Sequence, residues 1–317
     1  APTNAGTYSI TPSAATFADA GSAAKYSTIT YTAGSFTITK KVLTVTPTNQ
    51  NITYGSTASI SFDVAGFANS ETTSNAAGYV APTCTVSTYS ATSAAGSTHT
   101  ISCSGGSANN YTFTTTATAT ATVAKATLTV VPNSQSVTYG DAAPTLTFNV
   151  SGFLNSQTAS TAAGYVAPTC SSSYTRTSPA GTPITISCSG GSADNYTFTT
   201  TATSSITIAK IATLTITAGS PSAINYGGTT PANSFTTSGK AANDAFTVTY
   251  NYSGTNGTTY ASSTTAPTLP GDYLITPSAA NFSTGSSSNY TTITYVAGTW
   301  RINKAALTIT AAAQIGV

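Results

Sequence analysis

The feature that most restricts this chain is that it copies itself. Residues 41–125 read KVLTVTP…ITYG…GYVAPTC…ISCSGGSANNYTFTT…VAK, and residues 126–210 read ATLTVVP…VTYG…GYVAPTC…ISCSGGSADNYTFTT…IAK. Tyr54 maps onto Tyr139, Cys103 onto Cys188, Asn110 onto Asn195 and Lys125 onto Lys210, at a constant spacing of about 85 residues. Cys84 maps onto Cys170 one residue further on, so a residue is gained and lost in between, which is how a loop behaves. A longer module, 211–304, keeps LTIT at 214–217, Tyr226-Gly227 and the closing NYTTITY…INK, but has no Cys. Residues 1–40 match its second half: AGTYSITPSAATF (5–17) aligns with PGDYLITPSAANF (270–282), and Lys40 with Lys304. AALTITAAAQIGV (305–317) begins another copy. The expected organisation is therefore the C-terminal half of a module at 1–40, modules with a Cys pair at 41–125 and 126–210, a longer Cys-free module at 211–304, and a first strand at 305–317.

Each module is built of short alternating runs broken by turn residues. Thr, Tyr, Val and Ile favour strands, while Gly, Pro, Asn and Ser mark turns. No stretch keeps a 3.6-residue apolar period over ten or more residues, so the class is all-β. Modules of this length with seven or so short strands predict immunoglobulin-like β-sandwiches. The run Tyr111, Phe113, Thr115, Ala117, alternating with Thr112, Thr114, Thr116 and Thr118, reads as one half-buried strand with hydroxyls to solvent. Between Tyr290 and Lys304 the Val-Ala-Gly before Thr299 predicts a bulge or tight turn. The junctions VAK-ATLTV, IAK-IATLTI and INK-AALTI hold no Gly/Ser or Pro linker, which predicts restricted hinges and an extended rod.

The combination of LT[VI]T, a Tyr-Gly pair some ten residues on, and a closing NYT[FI]T…K resembles the bacterial MBG-type repeat, an immunoglobulin-like module of large surface and adhesin proteins. It stands here at Leu43–Thr46 with Tyr54-Gly55, at Leu128–Val131 with Tyr139-Gly140 and at Leu214–Thr217 with Tyr226-Gly227. The closing element stands at Asn110-Tyr111, Asn195-Tyr196 and Asn289-Tyr290. The resemblance implies an extracellular or cell-surface, mostly structural role, with no catalytic residues to carry over. It does not account for the Cys pairs.

Those pairs are read from their placement. Zinc wants closer spacing such as C-x-x-C, and a thiol nucleophile wants a His, yet His99 aligns with Ile184. The two members of each pair are centred on the turn-like runs near Ala94 and Pro179, which predicts hairpins closed by disulfides Cys84–Cys103 and Cys170–Cys188. Disulfides need an oxidising compartment, which agrees with an extracellular address.

Charge points the same way. Only 5% of residues are charged, against roughly 25% in an ordinary soluble protein. A net charge of +2, scattered singly, gives no nucleic-acid or membrane-surface partner. No apolar run reaches the length of a membrane span. Without Met or a signal-peptide pattern, the chain reads as a mature piece or an excerpt of a longer array.

No metal, cofactor or catalytic constellation is expected. The carboxylates Asp19, Asp63, Glu71, Asp141, Asp194, Asp244 and Asp272 form no ligand pattern or acid–base pair and are read as exposed turn residues. Lys40, Lys125, Lys210 and Lys304 recur at module ends and are read as solvating the strand ends or discouraging edge-to-edge pairing, rather than as isopeptide staples. The sequon residues Asn110, Asn195 and Asn289 belong to the repeat and are read as turn residues entering a strand. Recurring tyrosines are read as capping the module cores, which leaves Tyr252 and Tyr260 as candidates for stacking on glycans, with Trp300 a further aromatic that could stack. The functional expectation is a structural repeat region of an extracellular filament or surface fibre, partnered by copies of itself or neighbouring modules. The alternative is an adhesin region that binds cell-surface glycans or neighbouring cells. An enzyme is not expected.

Overall fold

The computed structural model describes residues 2–313. Every regular element in them is a strand, apart from two single 3₁₀ turns at Ala23–Lys25 and Ser287–Asn289. The chain divides into two compact units. One holds the residues up to Thr129 with Ser151–Ala167 and Gly191–Thr199; the other holds Val130–Val150, Pro168–Gly190 and the residues from Thr200 onward. The division runs through the middle repeat rather than along a repeat boundary.

In the first unit, the first Cys repeat makes two sheets. One has the order Phe62–Ala65, Lys41–Pro47, Tyr111–Thr114, and the other Gln50–Thr53, Thr118–Ala124, Thr98–Ser104, Thr83–Val86. Lys41–Pro47 runs parallel to Tyr111–Thr114, with Leu43 opposite Phe113. Its period-2 pattern buries Leu43 and Val45 completely and turns Val42 and Thr44 outward. The same strand packs against Thr98–Ser104 and Thr118–Ala124 of the facing sheet, so the two sheets enclose one apolar layer.

One strand expectation is corrected here. Tyr111–Thr114 and Thr118–Ala124 belong to different sheets, and the chain crosses between them at 115–117. Alternation continues across the crossing, so periodicity gives no sign that the pairing partner has changed. The third repeat, in the second unit, crosses likewise from Tyr290–Val296 to Gly298–Asn303. Gly298 sits there because a Cβ would lie 2.3 Å from the carbonyl oxygen of Gly219. It marks a close backbone approach at a sheet change, not a bulge.

The second unit contains the sheet Gln135–Thr138, Thr203–Ala209, Ile184–Ser189, Thr169–Ser172 from the middle repeat. It also contains both sheets of the third: Phe235–Ser238, Ile211–Ala218, Tyr290–Val296, and Ile224–Asn225, Gly298–Asn303, Gly271–Thr284, Ala245–Thr255. The third repeat thus keeps the sheet order of the first with a longer hairpin.

Both disulfides are present, Cys84–Cys103 and Cys170–Cys188, and in each the partners face one another across an antiparallel pair. Cys103 and Cys188 stand two residues after Ile101 and Ile186. In the third repeat Pro277 stands two residues after Ile275, and its cross-strand partner is Tyr250. An aromatic–proline pair therefore takes the place of the covalent link. The core beside it is closed by Tyr252, Tyr273 and Trp300.

Residues 2–40 form the antiparallel pair Gly6–Ile10 and Gly34–Ile38. Residues 305–313 form no strand, and Leu307 and Ile309, the counterparts of buried Leu214 and Ile216, are each 85% exposed. A first strand is held by the later strands of its own repeat, and none of those lies among the described residues. The rest of the expected strand, 314–317, lies outside them.

Candidate functional site: the tyrosine junctions

The residues that recur most strictly meet where one repeat follows another. In the first unit the backbone N–H of Tyr54 donates to Ala124 O, which carries the phenol beyond the end of its own sheet. Its hydroxyl donates to Oε1 of Gln157 in the following repeat at 3.2 Å, and Tyr196 donates to the same atom at 2.6 Å. The two rings meet edge to face at 5.4 Å. Gly55, at φ +83°, lets the turn close onto Leu154, whose Cδ1 would lie 2.6 Å from an added Cβ.

The second unit repeats the arrangement with a charge in it. Tyr139 N donates to Ala209 O, and the hydroxyls of Tyr139 and Tyr290 donate to Oδ1 and Oδ2 of Asp244, each at 2.6 Å. Asp244 is 3% exposed, so the two phenols replace water around its carboxylate. Lys240 Nζ donates to the backbone oxygens of Ala241 and Asp244 at 3.2 and 2.6 Å. Burial, reinforced by the bond to Asp244, pushes the Tyr139 phenol up to about 12; the Tyr290 phenol is pushed up by the same causes. Both tyrosines therefore stay protonated and donating at any ordinary pH.

The tyrosine of each NYT motif is set by a second rule. Its hydroxyl accepts from a backbone N–H (Ala68, Leu154 or Ala241) and donates to the side chain three residues later: Glu71, Gln157 or Asp244. The preceding Asn reaches backwards. Asn110 Oδ1 accepts from Ala5 N, Asn195 Oδ1 from Ala95 N and Asn289 Oδ1 from Ala180 N, at 2.9, 2.9 and 3.0 Å. Two of the module-end lysines reach forwards, Lys40 Nζ to Ala108 O and Lys125 Nζ to Ala193 O.

Several expectations change. Asp244 is a buried acceptor and Glu71 a half-buried one, not exposed turn carboxylates, and Asp272 pairs with Arg301 at 2.5 Å. Asn110, Asn195 and Asn289 do more than start a strand, since each holds a backbone amide of the preceding segment. Lys40 and Lys125 each donate to a backbone carbonyl, of Ala108 and Ala193 respectively. Tyr54 and Tyr139 are buried, but their counterpart Tyr226 is 52% exposed, so the following repeat completes the burial that was assigned to the module core.

Tyr252 is corrected as a stacking candidate. It is 4% exposed, packed on Trp300, and its hydroxyl accepts from Asn233 Nδ2. Trp300 is itself buried against Tyr273. Tyr260 is half-buried, edge-on to Tyr273, with its hydroxyl donating to Thr265 O. Aromatic residues in this divergent module fill the core that the longer hairpin opens, which leaves no free ring face at Tyr252 for a sugar. Among the described residues no three His, Cys, Asp or Glu side chains cluster to hold a metal ion, and no helix is long and apolar enough to cross a membrane.

Repeated pairs of a three- and a four-stranded sheet, joined by one recurring set of polar contacts, define a tandem immunoglobulin-like β-sandwich repeat protein. Its two Cys-bearing repeats belong to the MBG domain family of YGX type, whose profile matches residues 43–122 and 128–204. The Tyr-Gly turn of that family name is the one that carries Tyr54 and Tyr139. No curated protein matches the chain at a significant level. Among solved structures the chain aligns with the N-terminal four Ig domains of Dscam1 isoform 1.9 at 9% identity, covering 84% of this chain and 73% of that one, with a TM-score of 0.21. Isoform 4.44 gives 7% identity, 82% and 74% coverage and a TM-score of 0.19. Scores this low add nothing to the topology already described.

Proposed function

We propose that this is a structural repeat region of a bacterial extracellular filament or surface fibre, a stiff rod or stalk without catalytic activity. The observation that carries the reading is the recurrence of one junction chemistry. Tyr54 with Gln157 and Tyr196, and Tyr139 with Asp244 and Tyr290, tie successive repeats by hydrogen bonds that are part-buried at the first junction and buried at the second. A flexible linker would leave such groups in water. Disulfides in two repeats support an oxidising, extracellular setting, and 5% charge suits a passive spacer more than a binding surface with strong fields.

Small-angle scattering of the purified chain tests the reading. A rod gives a radius of gyration well above the ~20 Å of a compact globule of this length, and the value holds as salt is raised. A value near that of a globule overturns it. Specific retention on a glycan array would favour the adhesive role instead.

A further inference from the structure

The third repeat holds the one ion pair among the described residues, and that pair stands in a cleft. Along Gly271–Thr284 and Gly298–Asn303 alternate side chains turn into the core. Tyr273, Trp300 and Ile302 are buried, while Asp272, Thr299 and Arg301 lie on the other face of the sheet. Asp272 has Arg301 opposite it on one side and Thr255 on the other. The guanidinium donates twice to the carboxylate, Nε to Oδ1 at 2.5 Å and Nη2 to Oδ2 at 3.0 Å. Around the pair a cleft of about 340 Å³ is lined by Ser220, Thr255, Asn256, Asp272, Thr299 and Arg301. A two-residue hairpin turn, with Asn256 at φ +50° and Gly257 at φ +81°, holds Asn256 at its rim.

The cleft belongs to the fold of a repeat. Thr299 N donates to Ser220 Oγ at 2.9 Å, and in the first repeat Thr120 N donates to Asn49 Oδ1 at 2.8 Å. Beside that first-repeat bond lies a cleft of about 330 Å³ lined by Asn49, Gln50, Asn51, Thr120 and Thr122. It is open with another whole repeat following in sequence, so the opening does not come from a missing neighbour. What the third repeat adds is charge. Its Asp272–Arg301 pair takes the place of Thr98 opposite Thr122, and Trp300 takes the place of Ala121.

The lining decides what the cleft can hold. The bonds from Arg301 hold the Asp272 carboxyl below the usual carboxylate range, so the pair stays ionised and neutral overall at ordinary pH. An anion would meet Asp272 and a cation Arg301. A hydroxyl that donates and accepts at once suits a carboxylate and a guanidinium side by side, and Ser220, Thr255, Asn256 and Thr299 have the same double capacity. Arg301 gives Nε and Nη2 to Asp272, but its side chain is 62% exposed, which leaves Nη1 accessible. Trp300 lies in the same wall, and its buried indole N–H has no acceptor among the described residues. A buried donor in that state is costly, so an oxygen brought to this wall is favoured.

We propose that this cleft is a saccharide-binding site that takes a neutral pyranose. Adjacent sugar hydroxyls donate to Asp272 and accept from Arg301, and Asn256 closes the rim. The volume falls near the lower end of small-molecule sites, roughly 300–1,000 Å³, which suits a sugar ring. The site stands whether or not the chain is a rod, since scattering reads shape and sugar titration reads the cleft.

The test is titration of the full, isotope-labelled chain with glucose, galactose, mannose and N-acetylglucosamine. Binding is followed by amide NMR and by the fluorescence of Trp300, the one tryptophan in the chain. At least one sugar should give saturable shifts around Asn256, Asp272 and Arg301, with a Kd on the order of 1 mM. Arg301→Ala and Asp272→Ala should each weaken it about tenfold. Both should leave the unfolding midpoint nearly unchanged, because an exposed ion pair adds little stability. Thr122→Ala, in the first-repeat cleft, should leave binding as it was. No saturable change with any of the four sugars overturns the proposal, as does undiminished binding by Arg301→Ala. Tighter binding of inorganic phosphate or acetate than of any sugar would make this an anion site and overturn it as well.

Discussion

Tyr139 and Asp244, 105 positions apart in sequence, share a 2.6 Å hydrogen bond in a place from which water is excluded. The carboxylate has no salt-bridge partner among the described residues; two phenols solvate it instead. Removing it leaves two buried hydroxyls without an acceptor. Asp244→Ala should therefore cost about 3 kcal/mol in chemical denaturation. Asp244→Asn should cost less, because an amide oxygen does this work at Gln157. Equal losses for the two variants would show that a neutral amide oxygen cannot replace the carboxylate here.

The two junctions differ in strength for a stated reason. Tyr54 donates to a neutral amide at 3.2 Å, whereas Tyr139 donates to a carboxylate at 2.6 Å. Tyr54→Phe should cost about 1 kcal/mol and Tyr139→Phe about 2 kcal/mol, read from unfolding midpoints at neutral pH. The reverse order would contradict the role assigned to the charge.

Stability should fall in alkali. An unfolded tyrosine loses its proton near pH 10, while the folded Tyr139 phenol holds its own to about 12. Above pH 10 the unfolded chain then binds fewer protons than the folded one, so rising pH favours unfolding. The contribution of Tyr139 is complete below pH 10 and lost as pH climbs through 12, on the order of 2 kcal/mol. Tyr290 adds in the same direction. Denaturation followed from pH 8 to 12 should show this slope, and Tyr139→Phe should flatten it.

Reduction should act on two repeats and spare the third. Cys84–Cys103 and Cys170–Cys188 close loops with sequence separations of 19 and 18 residues, each worth about 3 kcal/mol. The corresponding place in the third repeat is held by Tyr250 and Pro277. Hydrogen exchange with and without reductant should show protection lost around Ile101 and Ile186 but kept around Ile275.

Gly298→Ala should be among the most damaging small changes in the chain. The new methyl carbon would stand 2.3 Å from a backbone oxygen that cannot rotate away, at a sheet crossing inside the core. A loss of roughly 3 kcal/mol in the third repeat is expected, measured by denaturation of the variant. An unchanged midpoint would mean that the two strands separate freely there.

Much of this architecture is written in the sequence. The repeat spacing, the absence of a helical period and the turn residues determine short strands recurring in tandem. The Cys pairs flanking a turn determine their own disulfides, because a hairpin sets its two arms opposite each other at short range. Local pattern reaches that far because side-chain alternation and turn chemistry act over a few residues.

Tertiary structure decided what the recurring residues are for. Glu71, Gln157 and Asp244 are chemically unlike and lie in loops, so no one-residue signature marks them as one acceptor. They become equivalent only when a tyrosine of their own repeat and, at the last two, one from the repeat before converge on the side chain. Asn195 and Asn289 look like turn residues until the amides of Ala95 and Ala180 arrive at their oxygens. Tyr54, Tyr139 and Tyr226 share a motif, yet two are buried and one is not. Burial depends on which surface comes to lie against a residue, and that is set by the packing of segments far apart in the chain.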